Sequence, residues 1–193
     1  MNSREKILQA IKTNKPAFVE LPVVDVTKVI QYDDLKAQFI TVLENIGGSV
    51  IEINDITILQ QIISKEIASN DFIINAIPAL GEVTENVASL SAIELAGVDR
   101  AFIQGTIGVA ENGAVWLYEH QIINRLLPFI CQHLVLILNK ENIVPTLHQA
   151  YEQIDLLQGG YGVFIAGPSK TADIEQSLVI GAHGARSLTV YLV

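Results

Sequence analysis

Apolar residues recur at three- and four-residue spacing over residues 32–46, at Leu35, Phe39, Leu43 and Ile46, and the run stops at Gly47-Gly48. That spacing predicts a helix with one buried stripe, ended by glycines that tolerate a left-handed C-cap. Residues 49–53 read as a strand, Asp55 can cap a helix carrying Leu59, Ile62, Ile63 and Ile67, and Phe72-Ile73-Ile74 suits a short buried strand. After a loop over 76–89 the rhythm resumes with Ala101-Phe102-Ile103. Two apolar runs, 107–110 and 114–118, then flank Glu111-Asn112-Gly113, and Asn-Gly in that setting is a strong hairpin signal. Residues 124–130 read as a short helix, 133–138 as a buried strand and 146–157 as a helix after Val144-Pro145. Residues 161–166 and 188–193 read as strands with a helix between them. Alternating strands and helices predict an α/β fold: a Rossmann-like, mostly parallel sheet with helices on both faces and one antiparallel hairpin. Upstream, 2–13 suits an amphipathic helix with Ile7, Leu8 and Ile11 on one face, and 16–27 is extended and punctuated by proline. Residues 1–30 are therefore expected as a helical and extended arm, ahead of a single α/β domain over 31–193.

Composition narrows the function classes. The 193 residues are 50% hydrophobic and 17% charged, enough for one domain with a sizeable core. The formal net charge of -9, with no Lys/Arg run, would repel a polyanion, so nucleic acid is not an expected partner. The first residues lack the apolar stretch of a signal peptide, and no segment reaches the ~20 uninterrupted apolar residues of a membrane span, so a cytoplasmic protein is expected. The lone cysteine, Cys131, excludes an intrachain disulfide and a self-contained iron–sulfur cluster, leaving packing as its expected role.

The stretch Gly167-Pro168-Ser169-Lys170-Thr171-Ala172-Asp173-Ile174-Glu175-Gln176 follows the apolar run 163–166 and reads as a strand turning into a helix through a tight loop. A helix start beyond the carboxyl end of a strand would offer free N–H groups to an anion. Gly162 and Gly167 have the P-loop spacing, but Pro168-Ser169 intrude before Lys170-Thr171. Helix capping alone accounts equally for Ser169 or Thr171 with Asp173 and Glu175. No Gly-x-Gly-x-x-Gly occurs, so a dinucleotide cofactor has no support in the sequence.

Glu111-Asn112-Gly113, residues 142–147, residues 167–175 and Gly181-Ala182-His183-Gly184-Ala185-Arg186 occur in the order found in LUD-domain proteins of the lactate utilisation protein C type, which the chain resembles from about Val98 onward. The resemblance implies a NagB/RpiA/CoA-transferase-like fold, in agreement with the periodicity. It also implies a role in oxidising L-lactate to pyruvate, beside partner subunits that carry iron–sulfur clusters. Lys170 stands where the family pattern has Arg, and Cys131-Gln132 where Pro-Pro precedes the His.

Three constellations carry candidate chemistry. Glu111-Asn112-Gly113 looks like the active-site turn of family I CoA transferases, in which the Glu carboxylate is a covalent nucleophile; a plain hairpin turn is the competing reading. His133 and His183 compete between binding and structural roles, and no metal-ligand spacing accompanies them. Lys170 and Arg186 are placed to bind a carboxylate or a partner, together with Gly167, Ser169, Thr171 and Asp173. The expectation is a cofactor-free component of a lactate-oxidising assembly. An enzyme handling a CoA ester or small carboxylate through Glu111, and an organic-acid sensor, are the alternatives.

Overall fold

The computed structural model describes residues 2–20, 22–69, 72–155, 160–171, 179–181 and 183–193. Its first half contains α1 (Ser3–Asn14), α2 (Leu35–Asn45), β1 (Ser49–Glu52), α3 (Ile56–Ser69), β2 (Ile73–Asn75), α4 (Ala92–Leu95) and β3 (Arg100–Gln104). There follow β4 (Ile107–Val109), β5 (Ala114–Tyr118), α5 (Glu119–Ile122), α6 (Leu127–Ile130), β6 (His133–Leu138), β7 (Ile143–Val144) and α7 (Leu147–Gln153). The chain closes with β8 (Gly162–Ile165), β9 (Lys170–Thr171), β10 (Val179–Ile180) and β11 (Ser187–Leu192).

Five strands form a wholly parallel sheet in the order β1-β11-β6-β3-β2. A parallel sheet of this kind is covered on both faces, which is why its central strand reads as the nearly unbroken apolar run His133-Leu134-Val135-Leu136-Ile137-Leu138. On one face Ala101, Ile103, Leu134, Leu136 and Val190 pack with Phe39 and Leu43 of α2 and Leu127 of α6. On the other, Phe102, Val135 and Ile137 meet Leu59 and Ile63 of α3. Each buried Val, Leu, Ile or Phe among them contributes about 1.5–3 kcal/mol by leaving water. The expected α/β architecture, with helices on both faces, is what the chain adopts.

The hairpin departs from expectation in where it sits. It belongs to a second sheet, β7-β4-β5-β8, in which β4 and β8 lie antiparallel to β5, and β7 lies parallel to β4. The chain changes sheets at Gly105: its amide donates to Ile137 in the first sheet, and the next amide, Thr106, donates to Trp116 in the second. Glycine is needed there because a Cβ would collide with Val115, and Gly108 is likewise pressed against Leu138 and Ile143. The outer face of the second sheet, with Val109 and Trp116, is covered by Ala150 of α7 and by Ile154 beyond it.

Local signals explain most element ends. Asp34 Oδ1 accepts the Ala37 amide at 2.9 Å to cap α2. At the other end Gly47, at φ 89°, donates to Glu44, and Gly48 donates to Leu43, both at 2.9 Å. Those two bonds are the double-bonded glycine stop that Gly47-Gly48 announced. Helix α1 is started by reciprocal bonds between Asn2 and Glu5, and it buries none of its residues. The helix expected over 124–130 is shorter, with α6 covering Leu127–Ile130. Asn124 instead spends its amide nitrogen on the Val87 and Leu90 carbonyls and its oxygen on Leu126, leaving α5 before it and α6 after it. Part of the helix expected over 146–157 lies outside the described residues, and α7 covers Leu147–Gln153.

Gly162 pairs with Tyr118 in the second sheet, beneath the Trp116 indole, and a Cβ there would run into the ring. Gly162→Ala is expected to destabilise the fold by about 1–3 kcal/mol, the usual cost of overpacking. Chemical denaturation reads this directly, and an unchanged midpoint would contradict the packing described.

Candidate functional site

Residues 167–171 lie at the junction of the two sheets. Strand β8 ends at Ile165, and the chain turns through Gly167, whose φ of +70° and 3.0 Å clearance between a built Cβ and the Ile46 carbonyl leave no room for a side chain. Ser169 then donates its amide to the Ala185 carbonyl and accepts from the Gly181 amide, both at 2.9 Å. Arg186 donates its amide to Gln132 at 2.7 Å. Gly184 lies so close to Ser169 that a Cβ would stand 3.0 Å from the serine Cβ and 3.4 Å from the Phe129 carbonyl. Three loops are thereby stitched together: the exit of β8 and the entries to β6 and β11.

Two readings of this stretch are corrected. Lys170 and Thr171 are not the start of a helix: they form β9, paired antiparallel with Val179–Ile180. Residues 172–178, including Asp173 and Glu175, lie outside the described residues. The position also differs from the expected carboxyl edge of the parallel sheet. The loops precede Ser187 and His133, the first residues of β11 and β6, and so occupy the amino edge of that sheet. Only relative to the second sheet do they follow a strand's carboxyl end, because β8 pairs with β5 and not with the parallel strands.

Two cavities meet here, sharing Phe129, His183 and Gly184. One, of about 230 Å³, is walled by Pro128, Leu134, Phe164, Ile165 and Pro168, with Ser169 as its hydroxyl. The other, of about 250 Å³, is lined by Cys131, Gln132, Gly181 and Arg186. The exposed imidazole of His183 stands where the apolar cavity meets the second one, which holds the exposed guanidinium of Arg186, an arrangement that can take a carboxylate at the arginine and a short hydrocarbon part at the apolar wall. Burial pushes the Cys131 thiol up to about 12, which keeps it protonated and unreactive at neutral pH.

Gly167, Ser169 and His183 line the first cavity, and His183 and Arg186 the second. Lys170, though exposed, donates its ammonium to the carbonyl of Ile46, the C-cap residue of α2, so it satisfies a helix end. The Glu111-Asn112-Gly113 turn closes the β4–β5 hairpin. Glu111 donates its amide to Pro145 at 3.0 Å, Asn112 Oδ1 accepts from Ala114 at 3.0 Å, and Gly113, at φ +67°, packs on the backbone of Leu43. Glu111 lines neither cavity at His183. His133 Nδ1 lies 2.8 Å from Ser187 Oγ and lines a different cavity with Arg100. Among the described residues no group of three or more His, Cys, Asp or Glu is placed to hold a metal ion. The sequence reading missed Phe129 and Phe164, and the 41% exposure of Phe129 beside Pro128 marks it only once the fold is known.

Lys170→Ala is expected to lower stability by about 0.3–1 kcal/mol, the value of a cation at a helix C-terminus. Arg186→Ala should stay within about 0.5 kcal/mol of the wild type. Equal effects in denaturant titrations would refute this division of roles. Cys131 should resist thiol reagents until the protein unfolds, and rapid modification of the native protein would contradict its burial.

A family model described as the LUD domain matches residues 92–193. Lactate utilization protein C of Geobacillus kaustophilus (strain HTA426) is 37% identical over 115 residues, which is 55% of this chain and 44% of that protein. The protein of the same name from Geobacillus sp. (strain WCH70) is 26% identical over 197 residues, covering 99% of this chain and 79% of that one. The match to a third, from Geobacillus thermodenitrificans (strain NG80-2), spans 42% of its length at 36% identity, so the chain covers less than half of two of these relatives. The crystal structure of a DUF162 family protein from Deinococcus radiodurans superposes with a TM-score of 0.60 at 19% identity, over 89% of this chain and 99% of that one, which supports the fold. Among the described residues no helix is long and apolar enough to cross a membrane. The match over 92–193 takes in the hairpin, the three inner strands β3, β6 and β11 of the parallel sheet and all three stitched loops, and the chain belongs to the LUD domain family.

Proposed function

We propose that the chain serves lactate utilisation as a component without a redox cofactor of its own, acting beside partner subunits that carry iron–sulfur clusters to oxidise L-lactate to pyruvate. The observation that carries this reading is the convergence of the Gly167–Ser169 and His183–Arg186 loops on two adjoining cavities that share His183, in a chain matched over 99% of its length by a relative named lactate utilization protein C. A small 2-hydroxy or 2-oxo acid suits that recess. Its carboxylate would face the Arg186 fork and the His183 ring, and its short carbon chain the wall formed by Phe129 and Phe164. One buried cysteine leaves no thiolate set for a cluster within the chain, so electrons would have to pass through another subunit.

A second reading, a CoA-ester chemistry with Glu111 as nucleophile, draws on the position of the turn. Val109 and Val144, paired in register, and Ile165 end β4, β7 and β8, and the turn follows β4 at that carboxyl edge of the second sheet. Incubation with small acyl-CoA donors separates the two. A mass gain of CoA on Glu111, removed by hydroxylamine, supports it, and an unchanged intact mass across a panel of donors overturns it.

In cells lacking the chromosomal copy, the wild-type chain is expected to restore growth on lactate, and His183→Ala and Arg186→Ala, at normal protein level, to fail. Full growth with both variants would remove the His183 recess from the function. The isolated chain is expected to show no flavin absorption and no iron with labile sulfide; either in stoichiometric amount would defeat the cofactor-free reading.

A further inference from the structure

The arm ahead of the domain keeps its apolar groups in water. Helix α1 buries no residue, and Ile7, Leu8 and Ile11 on its apolar face are exposed. Beyond it residues 15–20 stay exposed throughout, Phe18 at 89% and Val19 at 82%. Single exposed apolar residues are ordinary, whereas a helix stripe followed by an exposed Phe-Val pair marks a contact surface. The link to the domain is tied locally. Asp25 Oδ1 accepts the Thr27 amide at 3.1 Å, and the Gln31 side-chain amide donates to the Val26 and Val29 carbonyls. Along the course these bonds set, the arm gains no burial from its own domain.

The domain has an unused surface of matching kind. Strand β1 is an outer strand of the parallel sheet and pairs on one side, with β11. Ile53, just past it, donates its amide to Leu192 of β11 at 2.8 Å. Backbone groups alternate in direction along a strand, so those of Val50 and Glu52 point to the open side, where no strand among the described residues meets them. Ile51, 43% exposed, lies on the α3 side of β1, lining a cavity with Glu66 and Tyr191. On α3, Gln60 donates to the Ala79 carbonyl beyond β2, the other outer strand. At 100° per residue Ile58 and Ile62 occupy the opposite flank, toward β1, and Ile58 is 49% exposed.

The charges match as well. Residues 2–19 carry Arg4, Lys6, Lys12 and Lys15 against Glu5. Residues 29–69, which build α2, β1 and α3, carry six acids against Lys36 and Lys65. The Lys36–Glu52 ion pair, 2.7 Å, brings the start of α2 with Asp33 and Asp34 to the carboxyl end of β1, where Asp55 also lies. A basic arm on a chain of net charge -9 is drawn to the acidic domain of another copy, while an anionic lipid surface would repel most of that chain.

We propose that the arm docks on the β1 edge of a second copy of this chain, and that the exchange is reciprocal, so that two arms clasp a two-fold dimer. Residues 17–20, between Pro16 and Pro22, keep their amides and add a strand that meets the outward groups of Val50 and Glu52. Phe18 and Val19 fall on opposite faces of that strand, one over Ile51 and Ile58 and the other over α2. The arm's cations then face the acids around β1.

The test mixes two full-length variants, Phe18→Cys and Ile51→Cys, and treats them with a short bismaleimide; Cys131 is buried and stays silent. A covalent dimer is expected in the mixture, far above either variant alone. By light scattering the wild type is expected to be a dimer at micromolar concentration that dissociates as salt is raised. Phe18→Asp should weaken association by roughly tenfold or more, with an unchanged circular dichroism spectrum. A wild type that is monomeric at every concentration, a mixture that yields no cross-link, or a dimer indifferent to Phe18→Asp would each overturn the proposal. So would a chain carrying both cysteines that cross-links only within itself, or a monomer that co-sediments with phosphatidylserine vesicles.

Discussion

Ser169 gives its amide to Ala185 and accepts the amide of Gly181, and the candidate site depends on that pair of bonds. They tie the exit of a strand in the second sheet to the entry of a strand in the first, and the recess at His183 lies between them. Two backbone bonds contribute only about 0.5–1.5 kcal/mol each, against about 1–2 kcal/mol for every residue whose backbone is fixed. The bonds set the geometry, and packing supplies the rest of the stability. Gly167 and Pro168 are buried against the end of α2, Ala185 is buried in the main core, and Gly184 lets the serine approach.

The C-terminus of α2 is the common anchor. Gly113 of the hairpin rests on the Leu43 backbone, Gly167 on the Ile46 carbonyl, and the Lys170 ammonium on the same carbonyl. A helix end presents unpaired carbonyls, and one cation there is favourable by virtue of the macrodipole. Lys170 is thus engaged electrostatically at a structural contact, and the cationic character of the recess rests on Arg186. Two residues that sequence spacing treats as a pair of equivalent cations are separated by what each one touches.

Sequence patterning was a good guide wherever structure is local. The three- and four-residue spacing through Leu35, Phe39 and Leu43, the Gly47-Gly48 stop, the Asn-Gly hairpin and the apolar run of β6 were all legible, because each depends on neighbours in the chain. The stretch 167–176 misled because β8 has the same apolar character as a parallel strand, and only its pairing with β5 reveals the other sheet. Ser169, Lys170 and Thr171 likewise have the composition of a helix start. Their extended course depends on Val179–Ile180, Gly181 and Ala185, contacts that no local pattern contains. The row Arg100, His133 and Ser187 was unreadable for a related reason. Each is one polar residue at the start of an apolar strand, and only the parallel register brings them side by side.

The central claim is that the three loops form one preorganised unit joining the two sheets. Native-state amide hydrogen exchange tests it directly, at Ser169, Gly181 and Arg186, the three amides that make the cross-loop bonds. These amides are expected to be protected and to lose protection together, in step with the entries to β6 and β11. Exchange at the rate of free loop amides, while the core strands remain protected, would contradict it.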